Sequence, residues 1–212
     1  MKVNQDVFDV MSTMRAMRGL KPDKIPEDVI RKILEAGTWA PNGQNLQPYR
    51  FIVVSDTEKK KFFGSHYAEA MRIRFSKNMP DAADNSANAR NIRVAMKFSD
   101  KVHDAPTLIV VCGLRDWPFS IPEDQRVGLA PPSYASVYPC IQNILIACRA
   151  QGIGASLTTM HQVFERDLCE CLSIPQSYGI VAVIPIGYPT GKFGPVGRRD
   201  VSELTYYDTW TE

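Results

Sequence analysis

The chain has 212 residues, 44% apolar and 23% charged, with a formal net charge of +2. These are the proportions of a soluble globular protein, long enough to bury a substantial core as one domain over residues 1–212. No run of Lys and Arg interleaved with aromatics tracks a nucleic-acid backbone, and no stretch reaches the roughly 18 consecutive apolar residues of a membrane span.

Asp6 to Met14 places Val7, Val10, Met11 and Met14 at helical spacing and predicts a short amphipathic helix. It gives way to a basic turn, Met14-Arg15-Ala16-Met17-Arg18-Gly19-Leu20-Lys21-Pro22-Asp23. Arg15 and Arg18 beside a flexible backbone suit a phosphate dianion, because a guanidinium matches phosphate oxygens as a fork. The same spacing also fits two solvated surface arginines. A second helix follows, with Pro26 at its first position, Glu27 and Asp28 complementing its dipole, and Val29, Ile30, Ile33, Leu34 and Gly37 as its apolar stripe.

Between that helix and the strand Phe51–Val54 lies a loop, Trp39-Ala40-Pro41-Asn42-Gly43-Gln44-Asn45-Leu46-Gln47-Pro48. Two prolines, a glycine and four carboxamides make it too polar for core. Its amides donate and accept hydrogen bonds without a counter-ion, which suits the edge of a flat heteroaromatic ring such as a flavin.

Ser55-x-x-Glu58 reads as a capping box opening the next helix. Lys59 to Asp104 is polar and helix-compatible, broken at Met79-Pro80-Asp81, with a stripe of Phe62, Phe63, Tyr67, Met71, Phe75, Met96 and Phe98 that reads as core or as the underside of a cover over a site. Pro106 to Gly113 reads as a strand buried on both faces. The loop Leu114 to Pro132, with Trp117, Phe119 and Arg126, is long enough to be functional. Ser133 to Gln151 is a helix apolar nearly all round, which requires burial centrally or between subunits. Its Pro139 belongs in the first turn or at a kink.

Gly152-Ile153-Gly154 turns the chain but is no dinucleotide fingerprint, since Leu157 stands where the third glycine belongs. Val163 to Leu172 reads as another helix and Tyr178 to Gly187 as a buried strand, with Pro185 marking its end or an edge. Arg198 and Arg199 form a second basic pair, open to the same two readings as the first. Leu204, Tyr206, Tyr207 and Trp210 make the tail too apolar for a free end. Helices and a few strands in irregular order predict an α+β sandwich, with helices covering a mainly antiparallel sheet. The cysteines Cys112, Cys140, Cys148, Cys169 and Cys171 include no CxxC pair, and Met1 to Val10 lacks an apolar signal core. A cytoplasmic protein with reduced, buried thiols is expected. His66, His103 and His161 are too scattered to suggest a metal site.

Taken in order, these motifs resemble those of the FMN-dependent nitroreductase family over nearly the whole chain. Pro41, Asn45, Gln47 and Pro48 match the family's P-S-x-x-N-x-Q-P-W pattern, with Asn42 in the serine position and Tyr49 in the tryptophan position. The basic turn is similar to the R-x-S-x-R pattern that grips the flavin phosphate. Arg18 takes the last arginine and Ala16 the serine, while the first arginine falls on Met14 with Arg15 beside it as a substitute. The segment Gln151 to Met160 resembles the stretch beside the isoalloxazine, in which backbone groups around Leu157, Thr158 and Thr159 approach flavin N5 and O4. Arg198 and Arg199 stand where the family has its C-terminal phosphate contact.

The resemblance implies a nitroreductase-like fold and a cofactor site drawn from Arg15, Ala16, Met17, Arg18, Pro41, Asn42, Asn45, Gln47, Leu157, Thr158, Thr159, Arg198 and Arg199. It implies a homodimer with FMN at the interface, so that Asn42, Asn45 and Gln47 serve the flavin of the partner. The implied activity is ping-pong hydride transfer from NAD(P)H to a small electron-poor acceptor, a nitroaromatic, quinone or similar. FMN carries that chemistry, so no side chain need be an acid or base, and Arg18 is the candidate for tuning the ring near N1 and O2. The same scaffold also fits oxidation or dehalogenation of a specific metabolite, flavin binding without turnover, or a fold that has lost its flavin.

Overall fold

The computed structural model describes residues 6–115 and 132–210; the loop carrying Trp117, Phe119 and Arg126 lies outside them. Among the described residues, four strands form one sheet in the order β1-β2-β4-β3: β1 is Tyr49–Val54, β2 Thr107–Leu114, β3 Gly154–Ala155 and β4 Tyr178–Gly187. All three strand pairings are antiparallel. The described residues also form six α-helices around it: α1 Val7–Thr13, α2 Glu27–Thr38, α3 Thr57–Phe75, α4 Ala87–Ser99, α5 Pro132–Ala150 and α6 Glu165–Cys171.

The period of two along the central strands sorts their side chains into two cores. Ile109 and Val111 of β2, with Ala182, Ile184 and Ile186 of β4, face α2 and α5, meeting Ile30, Ile33, Val137, Ile141 and Ile144. Leu108, Val110 and Cys112 face the other way, with Ile180 and Val183, against Phe63, Tyr67 and Met71 of α3, Phe98 of α4 and Leu168 of α6. Both β2 and β4 are therefore buried on both faces, as their unbroken apolar runs predict. The α+β sandwich expected from the element order is what forms.

Local details differ from the sequence-based expectations in informative ways. Pro26 is the N-cap of α2, not its first helical residue. The cap of α3 is Asp56, whose carboxylate accepts the Lys59 amide at 2.9 Å, so Ser55 and Glu58 form no capping box; a charged acceptor one residue nearer the helix outcompetes the serine hydroxyl. In α1 only Val10 is buried, while Val7, Phe8 and Met11 are exposed. Pro139 lies inside α5, well past its first turn. Pro185 is neither at the end of its strand nor on an edge: β4 runs between β2 and β3. Its carbonyl accepts the Ser156 amide on the side where the two-residue β3 has already given out. The missing proline N–H therefore costs the sheet little.

Helix α5 is buried along Val137, Cys140, Ile141, Ile144 and Cys148, but Tyr138 is exposed and Leu145, Ile146 and Ala147 are only half-buried. From Val201 to Trp210 every residue is exposed, and within this stretch Tyr206 stacks on Trp210 at 4.3 Å. All five cysteines are free.

Candidate cofactor site

The basic turn is laid along the β3 edge by backbone hydrogen bonds. The Met17 amide donates to the Ala155 carbonyl at 2.9 Å, the Lys21 amide to Tyr188 at 2.7 Å and the Thr190 amide to Gly19 at 2.9 Å. Glycine makes this approach possible: a Cβ on Gly154 would stand 2.9 Å from Leu20 Cδ2 and 3.0 Å from Met17 Cβ. Met17 is buried beneath the turn, while Arg15 and Ala16 are exposed and Arg18 is half-buried. The apolar side chain thus pins the turn and leaves Arg15 at the surface, with Arg18 partly covered.

Beyond Ala155 the chain continues beside β4. Thr158 and Val183 exchange backbone hydrogen bonds of 2.9 and 3.0 Å, which fixes Leu157, Thr158 and Thr159 along the middle of that strand. The Thr158 hydroxyl oxygen accepts the Met160 amide at 3.2 Å. Behind it lies Tyr67 of α3, close enough to Thr158 and to Arg18 for both to act on its hydroxyl. Burial raises the phenol above its ordinary pKa, with Thr158 and Arg18 opposing that shift. The basic turn and the Leu157–Thr159 segment therefore meet in one place, and Tyr67 joins them; in the sequence it reads only as one member of a core stripe.

Arg198 and Arg199 reach the same end of the molecule. The Val196 amide donates to the Ser12 carbonyl at 3.0 Å, just before the basic turn, and both arginines are exposed.

The carboxamide loop stands apart. It enters β1, the edge strand opposite β3, at Tyr49, which pairs with Gly113 at the far end of β2. Three strand spacings and some six residues of rise separate it from Ala155 by about 25 Å. Gln44, Asn45 and Gln47 all have positive φ, from 48° to 54°, a backbone region that non-glycine residues adopt at a cost. The Asn42 side chain holds this shape by accepting the Gln47 amide at 2.8 Å, and Ser136 of α5 accepts the Gly43 amide at 3.2 Å. Arg50 donates to the Gln47 carbonyl at 3.2 Å. Asn42 is thus turned inward, whereas Asn45, Gln47 and Pro41 are exposed. Among the described residues no group of His, Cys, Asp or Glu could hold a metal ion, and no helix is long and apolar enough to cross a membrane.

The sequence pattern of the Nitroreductase family matches residues 12–188, from the end of α1 to just beyond β4. The chain belongs to the nitroreductase family. Within it, the chain is 27% identical over 198 residues to a Methanothermobacter thermautotrophicus protein named "Putative NADH dehydrogenase/NAD(P)H nitroreductase", covering 92% of this chain and 82% of that one. It is 24% identical over 204 residues to an iodotyrosine deiodinase of Thermotoga neapolitana, covering 96% and 98%. The fold is also that of a solved oxidized iodotyrosine deiodinase bound to FMN and 3-iodo-L-tyrosine, with a TM-score of 0.75, 20% identity and coverage of 97% of this chain and 100% of that one. Family membership thus fixes the fold, and leaves the acceptor to be argued from the site.

Proposed function

We propose that this protein is an FMN-dependent oxidoreductase that passes hydride from NAD(P)H to a small electron-poor acceptor, a nitroaromatic or quinone, by a ping-pong route. The observation that carries the reading is the Met17–Ala155 hydrogen bond, which brings the Arg15–Arg18 turn against Leu157–Thr159. A phosphate-bearing flavin needs such a pairing, cations for its tail beside a fixed run of backbone for its ring. FMN, when bound, supplies the hydride chemistry. The protein's residues do the rest: Arg15, Arg18, Arg198 and Arg199 hold the phosphate, Thr158 and its neighbours orient the ring, and Arg18 sets the local charge.

The working unit in this reading is a homodimer of a cytoplasmic protein. The carboxamide loop is about 25 Å from the basic turn of its own chain, so Asn45 and Gln47 serve the flavin of the partner subunit. Three further features support two copies. One flank of α5 is only half-covered, the tail from Val201 to Trp210 is exposed, and among the described residues β1 is an edge strand beside a groove of about 1580 Å³. The groove is lined by Ile25, Leu34 and Phe51 with four basic residues, Lys24, Arg31, Lys32 and Lys60, against two glutamates, Glu27 and Glu35, whereas the tail carries Asp200, Glu203 and Asp208 and no basic residue up to Trp210.

The deciding experiment is anaerobic stopped-flow mixing of the flavin-loaded protein with NADH and with NADPH. Loss of long-wavelength flavin absorbance, reversed by a nitroarene or quinone, is the expected result; absorbance that neither nucleotide changes would refute it. A second reading, reductive dehalogenation of an aromatic metabolite, is favoured by the near end-to-end match to a deiodinase. It predicts halide release from a halogenated phenol by the dithionite-reduced protein.

A further inference from the structure

Helix α5 ends beside both basic clusters, and Arg149, its penultimate residue, touches the elements that carry each. Its Nε–H donates to the Thr13 hydroxyl at 2.9 Å. That hydroxyl in turn donates to the Asp9 carbonyl, so it is satisfied in both directions and locked to the last turn of α1. The same guanidinium lies over the ring of Phe193, with its carbon 4.4 Å from the centroid. A planar cation on an aromatic face, also tied by a directed hydrogen bond, has little freedom left. The third contact is the 3.0 Å hydrogen bond from the Val196 amide to the Ser12 carbonyl, between the two segments that Arg149 grips.

Arg15 follows Thr13 by two residues and Arg198 follows Val196 by two. The two arginine pairs, far apart in sequence, therefore leave from a single hub. Backbone hydrogen bonds to Ala155 and Tyr188 seat the first turn on the sheet, but the side chains of Arg15, Arg198 and Arg199 are exposed, and Arg198 donates to the adjacent Gly197 carbonyl.

We infer that Arg149 is a positioning residue that holds the Arg15–Arg18 turn and the Arg198–Arg199 pair on one phosphate monoester dianion. The inference rests on the FMN reading above and adds the element that assembles its phosphate end. Arg149 acts through Thr13 and Phe193, so its loss spreads the cations apart without touching the ring end of the site. The chemical consequence is selective. A ligand with the phosphate is penalised, and one with the same ring and no phosphate is not.

The test is a fluorescence titration of the full chain, freed of flavin, with FMN and with riboflavin. Arg149→Leu is expected to raise the Kd for FMN by about tenfold, the scale of one charge-assisted hydrogen bond, with riboflavin changed less than about twofold. Phe193→Leu, which leaves every charge in place, is expected to shift the same ratio in the same direction by a smaller factor, and it carries the test if Arg149→Leu does not melt cooperatively. Equal weakening of both ligands, or an unchanged ratio in both variants, would overturn the assignment by showing a merely structural or irrelevant arginine. Wild-type protein that binds riboflavin as tightly as FMN would instead sink the phosphate site itself, an outcome read before any variant is made.

Discussion

The amide of Met17 donates to the carbonyl of Ala155 at 2.9 Å, and this one bond joins the N-terminal turn to a strand 138 positions later. It depends on Gly154 having no side chain. In Gly154→Ala the added methyl would press on Leu20, Met17 and the Gly187 carbonyl. Overpacking of this kind costs about 1–3 kcal/mol. We expect a lower denaturation midpoint together with weaker FMN binding, since the turn must lift to make room; unchanged FMN affinity would show that the turn does not need this seat.

Gln47 separates loop strain from function. Its φ of 48° suits glycine, and its backbone bonds to Asn42 and Arg50 need no side chain. Gln47→Gly should keep or raise stability by up to about 1 kcal/mol. The same variant should bind FMN more weakly, because the carboxamide is gone. Thermal melts and flavin titrations on one preparation read both effects.

Arg18 is half-buried and close enough to Tyr67 for its charge to act on the phenol. Arg18→Ala is expected to weaken FMN binding about tenfold or more and to slow flavin reduction by NAD(P)H in the same protein. If affinity and reduction rate both stayed at wild-type values, the side chain would have no part in the site.

His161 supplies a pH dependence. It is fully buried, its Nε2 bonds the Ile180 carbonyl at 2.7 Å and its Nδ1 has no partner, so Nε2 carries the proton and the ring is neutral. Burial lowers its pKa, with the Ile180 carbonyl and Glu165 opposing. The unfolded chain therefore takes up a proton more readily than the folded one. The stability this group contributes is complete above the unfolded value near 6.5 and is lost as pH falls from there through the lowered folded value. Melting temperature should drop more steeply below pH 6.5 in wild type than in His161→Gln.

The thiols are expected to divide by environment. Burial pushes Cys112, Cys140 and Cys148 up to about 12, so they are protonated and inert in the folded protein at pH 8. Cys169 and Cys171 are half-buried. A thiol reagent should modify at most these two before unfolding, and all five after.

Much of the architecture was legible in the residues because it rests on local pattern. The unbroken apolar runs of β2 and β4, the stripe of α2 and the break between α3 and α4 follow from side-chain period and from proline, which act within a few residues. The carboxamide loop was legible too, through four uncharged amides that are too polar for the core. Where neighbours compete at short range the structure departs from the local pattern by a residue or two, as with Asp56 capping α3 in place of Ser55.

Other features were decided by contacts between distant segments. Nothing in the local sequence around Tyr67, Ser136 or Arg149 marks them as neighbours of the candidate site, because each reaches it through a residue far along the chain: Thr158, Gly43 and Thr13 respectively. Pro185 could sit mid-sheet only because β3 stops after two residues. The inward turn of Asn42, likewise, depends on a loop geometry with three positive φ angles in four positions. Sequence alone determined which segments are helix, strand and polar loop, since those depend on local hydrophobic period and backbone chemistry. Tertiary structure alone decided which of those segments meet, because hydrogen bonds such as Met17 to Ala155 join positions that no local pattern relates.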